Sequence, residues 1–254
     1  MKTLTFYIVF HKEVHKDNTI TFSEESVKQN LKWVAVNEKI PKNYPDWIPK
    51  DCLIKEWEMK IHSPLYQMLN FYQNSTFLHL FWNKEYEKSK YIGFGQYDMG
   101  FDATEFEKIQ SILKNSEDVV YGSFIYSLSS ILPAYPYEVL QFIFLTPYNN
   151  YYGTTHTFDK IKEMPLFLLH TFIIPSWFFN HMMPFVEQLI PHILRGLQWD
   201  TRHLAGTLER IFALCISCGI VEGKLRNVLP LLGVTEKHDQ RSEDSFRGIS
   251  TGSS

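Results

Sequence analysis

Apolar residues come in short blocks separated by polar stretches through the first half of the chain, and recur at helical spacing in the last third. Thr3 to Phe10 is rich in aromatic and β-branched residues and bounded by charge, the pattern of a buried strand. Thr21-Phe22-Ser23-Glu24 has capping-box spacing and opens a short helix ending near Leu31. Lys32 to Val36 then reads as a second strand. Residues 39–62 carry three prolines and no clean period, which predicts a surface excursion. Ser63-Pro64 starts a helix, with Ser as N-cap and Pro at the first helical position; it runs to about Lys84 with a break around Asn74-Ser75. Tyr91 to Gly95 is a short apolar strand, Phe101 to about Leu113 a helix, and Val119 to Tyr126 and Phe167 to Ile174 two further strands. Two long helices follow, at about 177–196 and 201–217.

Strands alternating with helices through the first 126 residues imply crossover units and a mostly parallel sheet, an α/β fold with a helix-rich C-terminal part. From Thr235 the chain is polar and lacks periodic apolar residues, so one domain over 1–234 with a disordered tail over 235–254 is expected. The apolar N-terminus resembles a short signal core but meets His11-Lys12-Glu13 without a small-residue cleavage site, which favours a strand. The longest apolar stretch, Pro165 to Phe179, is broken by His170, Pro175 and Ser176 and is shorter than the ~20 residues a bilayer requires. No membrane span is therefore expected, and a cytoplasmic location is.

Composition narrows the class. The 254 residues carry 25 Lys and Arg against 28 Asp and Glu, for a net charge of −3. At 21% charged residues this near-neutral balance argues against a nucleic-acid partner. At 44% apolar residues the chain is not disordered as a whole, and a chain this long buries roughly 73% of its extended surface. Three cysteines make no disulfide framework. Cys215 and Cys218 have CxxC spacing, but they lie inside an apolar helical pattern without a second pair, so they read as small core residues.

Candidate chemistry gathers where strands end, because open α/β sheets bind ligands at the carboxyl ends of their strands. His11 and Lys12 follow the first strand, Asn37, Glu38 and Lys39 the second, and Gln96, Tyr97 and Asp98 the Tyr91–Gly95 strand. His11-x-Glu13-x-His15 superficially resembles a zinc motif, but its Glu is misplaced and the segment leaves a strand rather than lying on a helix. Asp102 stands three residues before Glu105 and reads as a helix N-cap. Asp98 has no such role; a carboxylate after a Gly-containing strand suits a divalent cation that bridges a diphosphate, or is an ordinary turn residue. In the helix from Thr201, Leu204, Leu208, Ile211, Phe212 and Cys215 form one apolar stripe. Arg202 and Glu209 share another face with the small residues Ala205, Gly206 and Ala213, either as a site open to a ligand or as a solvent-exposed ion pair.

The block Leu78-His79-Leu80-Phe81-Trp82, followed by Tyr91-Ile92-Gly93-Phe94-Gly95-Gln96-Tyr97-Asp98-Met99, resembles bacterial capsular and lipopolysaccharide glycosyltransferases of the GT-A, nucleotide-diphospho-sugar transferase type. The helix carrying Arg202, Gly206 and Glu209-Arg210 is similar to a second block of that family, and the resemblance spans roughly residues 3–218. The bacterial family reads His-Tyr-Arg-Arg where this chain has Gln96-Tyr97-Asp98-Met99, which looks closer to soluble glycosyltransferase domains of large algal DNA viruses. The full Asp-x-Asp of metal-dependent members is absent.

The resemblance implies transfer of a hexosyl or deoxyhexosyl group from a nucleoside-diphosphate sugar to a hydroxyl of a glycan or glycoprotein, metal-assisted and inverting. His11, Lys12, Asn37, Lys39, Gln96 and Tyr97 are then the nucleotide contacts, and Asp98 is the ligand to Mn²⁺ or Mg²⁺. Glu209 is the first candidate for general base and Asp200 the second, with Arg202 orienting Glu209 or neutralising phosphate. Two alternatives stay open: a nucleotidyltransferase, whose Gly-rich phosphate loop is not seen, and a non-catalytic carbohydrate- or nucleotide-sugar-binding protein on the same fold.

Overall fold

The computed structural model describes residues 1–11, 23–36, 48–68, 71–97, 99–123, 125–131, 137–197, 203–231 and 234–236. The first half contains β1 (Lys2–Phe10), α1 (Glu24–Asn30), β2 (Leu31–Ala35), β3 (Leu53–Lys55), α2 (Pro64–Met68), α3 (Asn74–Trp82), β4 (Ser89–Gln96), β5 (Met99–Phe101) and α4 (Ala103–Lys114). There follow β6 (Val119–Gly122), β7 (Ile125–Ser127), α5 (Leu128–Ile131), α6 (Tyr137–Leu140), α7 (Thr146–Tyr152), α8 (Phe158–Ile161), β8 (Pro165–Phe167) and β9 (Phe172–Pro175). The chain closes with α9 (Ser176–Gly196), α10 (Leu204–Val221), β10 (Asn227–Pro230) and β11 (Val234–Glu236).

Seven strands form the central sheet in the order β10-β6-β9-β4-β1-β2-β3. All neighbours are parallel except β9, which runs antiparallel to both β4 and β6. The predicted α/β class with a mostly parallel sheet and a helix-rich C-terminal part is what forms. Because the sheet is covered on both faces, β1 reads as a continuous apolar run and is buried from Leu4 to Phe10. Its side chains alternate between two cores. Leu4, Phe6, Ile8 and Phe10 join Trp33 and the α4 residues Phe106, Ile109 and Leu113 on one face. Tyr7 joins Phe77, Phe94, Phe178 and Phe212 on the other, beneath α3, α9 and α10.

Gly93 and Gly95 in β4 exist for this packing. A Cβ on Gly93 would lie 2.3 Å from the Phe6 ring, and one on Gly95 would lie 2.5 Å from the Phe101 ring. The room they leave holds an edge-to-face array, with Phe6 at 5.0 Å from Phe101 and 5.6 Å from Phe106 between ring centroids.

Several expected elements move. Ser23, rather than Thr21, caps α1, accepting the Ser26 N–H at 3.2 Å; Thr21 and Phe22 lie outside the described residues. The supposed surface excursion contains β3 and, directly after it, the fully buried Glu56. Its carboxylate accepts the Thr76 hydroxyl at 2.6 Å and the Ser75 hydroxyl at 2.9 Å, which fastens the end of β3 to the first turn of α3. The break expected around Asn74-Ser75 falls just before it, at residues 71–73, and Asn74 is the first residue of α3. Val119–Tyr126 is two strands in different sheets, β6 and β7, and the expected Phe167–Ile174 strand is also two, β8 and β9, with a turn between them. β11 pairs with β5 through Glu236, two residues past the expected domain end; residues from 237 lie outside the described set.

The C-terminal helices are longer and more buried than a single apolar stripe requires. α10 buries Thr207, Ala213, Leu214, Ile216 and Ser217 as well as the predicted Leu204, Leu208, Ile211, Phe212 and Cys215. By length and composition α10 is the one helix among the described residues able to cross a membrane, but 67% of it is buried inside the fold, as suits a core helix. Cys215 and Cys218 are buried and unbridged, and burial pushes both thiols up.

Candidate active site

Strand order locates the site. From β1 the chain steps outward through β2 and β3, then returns to place β4 on the other side of β1. In open α/β sheets such a reversal marks the ligand-binding crevice, which here falls at the carboxyl ends of β1 and β4. The pairing Val9↔Gln96 brings the two strand ends level.

His11 and Tyr97 meet at this edge. Their rings stand edge-to-face with centroids 5.0 Å apart, and the Tyr97 N–H donates to the Val9 carbonyl at 3.1 Å. Tyr72, half-exposed and in a left-handed backbone conformation (φ 47°), brings its ring to 5.9 Å from His11. Three aromatic rings thus gather at this edge.

Because β9 runs antiparallel to β4, with Phe94 opposite Phe172, the β8–β9 turn falls at the same edge. Leu169 (φ 57°) and His170 (φ 47°) in that turn are consecutive non-glycine residues in the left-handed region, a conformation costing roughly 1–3 kcal/mol per residue. Hydrogen bonds from two sides hold it. The Leu169 N–H donates to Glu209 Oε1 at 2.7 Å, and the Leu169 carbonyl accepts from Gln96 Nε2 at 2.8 Å and from the Thr171 hydroxyl at 2.9 Å. One residue thereby joins the end of β4, the turn and α10. Glu209 is half-buried, and its Oε2 takes no hydrogen bond from the described residues.

His170 lies beneath this clamp, only 3% exposed, with its ring 4.9 Å from Phe77 and 5.7 Å from Phe212. Among the described residues, neither ring nitrogen has a hydrogen-bond partner. Burial pushes its pKa down to about 4, against a partial opposing pull from the Glu209 carboxylate, so the ring is neutral near pH 7. Asn74, first residue of α3, donates from Nδ2 to the Phe71 carbonyl at 2.9 Å and to the Ala205 carbonyl at 3.3 Å, tying the starts of α3 and α10 together beside the turn.

Of the residues singled out from sequence, the structure brings His11, Gln96, Tyr97 and Glu209 to one edge. Lys12, Asn37, Lys39, Asp98, Asp200 and Arg202 lie outside the described residues, as do Glu13 and His15. Asp102 caps α4 as its spacing predicted, its Oδ1 accepting the Glu105 N–H at 2.9 Å. Among the described residues no three His, Cys, Asp or Glu side chains are grouped as a metal ion requires. Sequence reasoning missed Tyr72, Leu169, Thr171 and the role of His170. The only signal was that His170 interrupts an otherwise apolar stretch.

No family model and no curated protein matches this chain. Among solved structures, the apo form of the WbbM bifunctional glycosyltransferase matches over 93% of this chain with a TM-score of 0.62 and 13% sequence identity. This chain spans 45% of the length of that one. The apo form of mouse xyloside xylosyltransferase 1 matches more loosely, with a TM-score of 0.43 and 12% identity over 89% of this chain and 84% of that one. With the crevice at the reversal of strand order and the antiparallel β9 beside β4, the architecture of this chain is a GT-A-type glycosyltransferase fold.

Proposed function

We propose that the protein is a glycosyltransferase that moves a sugar from a nucleoside diphosphate to a hydroxyl of a glycan or glycoprotein acceptor, with inversion. The observation that carries this reading is the Gln96–Leu169–Glu209 clamp at the strand-order reversal, which holds one oxygen of the carboxylate while the other takes no hydrogen bond from the described residues. Glu209 Oε2 would take the proton from the acceptor hydroxyl as its oxygen attacks the anomeric carbon. The bond from that carbon to the diphosphate oxygen breaks, and the nucleoside diphosphate departs with the electron pair. Donation from the Leu169 N–H to Oε1 restricts rotation of the carboxylate, so Oε2 meets the acceptor in a fixed geometry. Asp200 is the second candidate for this role.

The aromatic mouth formed by His11, Tyr72 and Tyr97 suits stacking on a nucleobase, with Lys12, Asn37 and Lys39 as contacts for ribose and phosphate. Gln96 serves by holding the turn. Arg202 would orient Glu209 or offset phosphate charge. Asp98, adjacent in sequence to Tyr97, is the assigned ligand for Mn²⁺ or Mg²⁺, which when bound would stabilise the charge developing on the departing diphosphate.

Thermal stability against a panel of nucleoside diphosphates and nucleotide sugars, with and without Mn²⁺, tests the donor site. A ligand at 100 times its Kd stabilises by about 2.7 kcal/mol, a readable shift. A shift with one base that grows with Mn²⁺ supports the reading. No shift with any nucleotide, from folded protein, contradicts it.

A further inference from the structure

A cavity of about 650 Å³ lies at the opposite edge of the sheet from the crevice. Its walls are the residues leading into β6 (Asn115 to Asp118), those leading into β10 (Gly223 to Asn227), and Trp177 at the start of α9. Parallel β6 and β10 both begin here, and antiparallel β9 ends here. The cavity is therefore separated from the catalytic edge by the length of the strands.

Trp177 is 44% exposed, an unusual position for the largest apolar side chain, and it is held there. Its indole N–H donates to the Glu117 carbonyl at 3.0 Å, and Phe178 meets it perpendicularly with centroids 5.6 Å apart. Around this fixed ring stand hydrogen-bonding groups already set in place. Asn227 Nδ2 donates to Asp118 Oδ1 at 3.3 Å, Arg226 Nε donates to the Gly223 carbonyl at 3.0 Å, and the Arg226 N–H donates to the Asp118 carbonyl at 3.1 Å. Gly223, in the left-handed conformation (φ 69°) just past α10, makes the turn that sends Lys224 and Arg226 to the cavity.

We propose that this cavity is a saccharide-binding subsite, in which Trp177 stacks on the C–H face of a pyranose while Asp118, Arg226 and Asn227 bond its hydroxyls. A sugar ring has one apolar face and a rim of donors and acceptors, and an exposed, immobilised indole edged by carboxylate, amide and guanidinium groups matches both parts. A phosphorylated ligand fits less well. Both cations are already matched by carboxylates, Lys224 with Glu222 at 2.6 Å and Arg226 with Asp118 at 3.8 Å, and the Glu117 carboxylate is paired with Lys90 at 2.7 Å, so no cation of the wall is left over for a phosphate. The volume falls within the roughly 300–1,000 Å³ of small-ligand sites. The subsite stands on its own residues and does not depend on the catalytic reading.

The test is a glycan array of defined oligosaccharides probed with the full chain. Calorimetric titration of the best-retained oligosaccharide follows, into wild type, Trp177→Ala, Trp177→Phe, Asn227→Ala and Glu209→Gln. Wild type should retain a subset of glycans. Trp177→Ala should weaken binding roughly tenfold or more, as loss of an aromatic anchor covered by its ligand does. Trp177→Phe should keep most of the affinity, Asn227→Ala should lose several-fold, and Glu209→Gln should bind as wild type does. If Trp177→Ala does not fold, the Asn227→Ala and Glu209→Gln pair decides the matter. An array with no retained glycan overturns the proposal. So does binding lost in Glu209→Gln but kept in Trp177→Ala or Asn227→Ala, which would place the glycan in the crevice, and so does displacement of the oligosaccharide by a free nucleoside diphosphate.

Discussion

Glu209 and Leu169 stand 40 residues apart in the chain and 2.7 Å apart in the fold, the carboxylate of one receiving the backbone N–H of the other. This bond connects a core helix to a left-handed turn at the candidate site, so the backbone of the turn and the proposed base are ordered together. The strain in the turn and the orientation of the Glu209 carboxylate become properties of one unit.

Strain at Leu169 reverses the usual ranking of alanine over glycine. Left-handed backbone costs an L-residue with a Cβ roughly 1–2 kcal/mol, a cost glycine avoids. Leu169→Gly should therefore be more stable than Leu169→Ala by about 1 kcal/mol in chemical denaturation, although both lose the packing of the leucine side chain. An alanine variant equal to or more stable than the glycine variant would contradict a φ of 57° at this position.

Gly93 should not tolerate a methyl group. Its Cβ would stand 2.3 Å from Phe6 and 3.0 Å from Ile173 inside a packed core, so Gly93→Ala should destabilise by about 1–3 kcal/mol. Phe6→Ala alone leaves a cavity and costs about 3–5 kcal/mol. The double variant should be more stable than the sum of the two losses predicts, because the added methyl group enters the space the ring vacated. Strict additivity in denaturant midpoints would contradict the close approach.

His170 makes stability depend on pH in a defined direction. Its folded pKa, about 4, lies below the ordinary 6.5, so between these values the unfolded chain binds the proton that the folded chain excludes. Its contribution is complete above pH 6.5 and is lost as pH falls toward 4, by about 1.4 kcal/mol for each pH unit in that window. His170→Phe should remove this slope, measured as the difference in unfolding free energy between pH 7 and pH 4.5 against wild type. An unchanged slope would contradict a buried, unpartnered imidazole.

Glu222, outside the crevice, should be a point of stability. Burial pushes its carboxyl up, but hydrogen bonds from Lys224, His156 and Tyr148 outweigh that and hold it below the usual range. The Tyr148 hydroxyl and His156 Nε2 each lie 2.9 Å from Oε1. The charged form therefore adds stability that is present above the ordinary carboxyl range and lost as pH falls through the lowered folded value. Glu222→Gln should destabilise by about 1–3 kcal/mol at pH 7, leaving Lys224 without its ion pair. A Gln variant of wild-type stability would contradict the network.

Much of the candidate site was legible in sequence because it lies where strands stop. β1 and β4 announce themselves as apolar runs, and the polar residues that end them, His11, Gln96 and Tyr97, lie together because the two strands pair in register. Glu209 was legible by its place on a helix with small neighbours and by family resemblance, and Asp102 by its three-residue spacing to Glu105. The β8–β9 turn was not. Leu169 and His170 carry none of the glycine or asparagine that usually marks left-handed backbone, and the conformation depends on Gln96, Thr171 and Glu209, which are distant in sequence or cryptic beside it. β3 was hidden for a similar reason. Only three residues long, it gains its place from pairing with β2 and from the buried Glu56 contact to α3, neither of which leaves a local period.

Release of nucleoside diphosphate from a panel of nucleotide sugars, with wild type and Glu209→Gln compared at equal folded concentration, tests the central claim most directly. The account predicts that wild type releases the diphosphate of one donor, faster with a glycan acceptor. It further predicts that Glu209→Gln lowers turnover by about 10²–10⁴-fold while leaving donor binding intact. Wild-type protein that binds a nucleotide sugar but releases no diphosphate with any acceptor, or a Glu209→Gln variant with undiminished turnover, would contradict it.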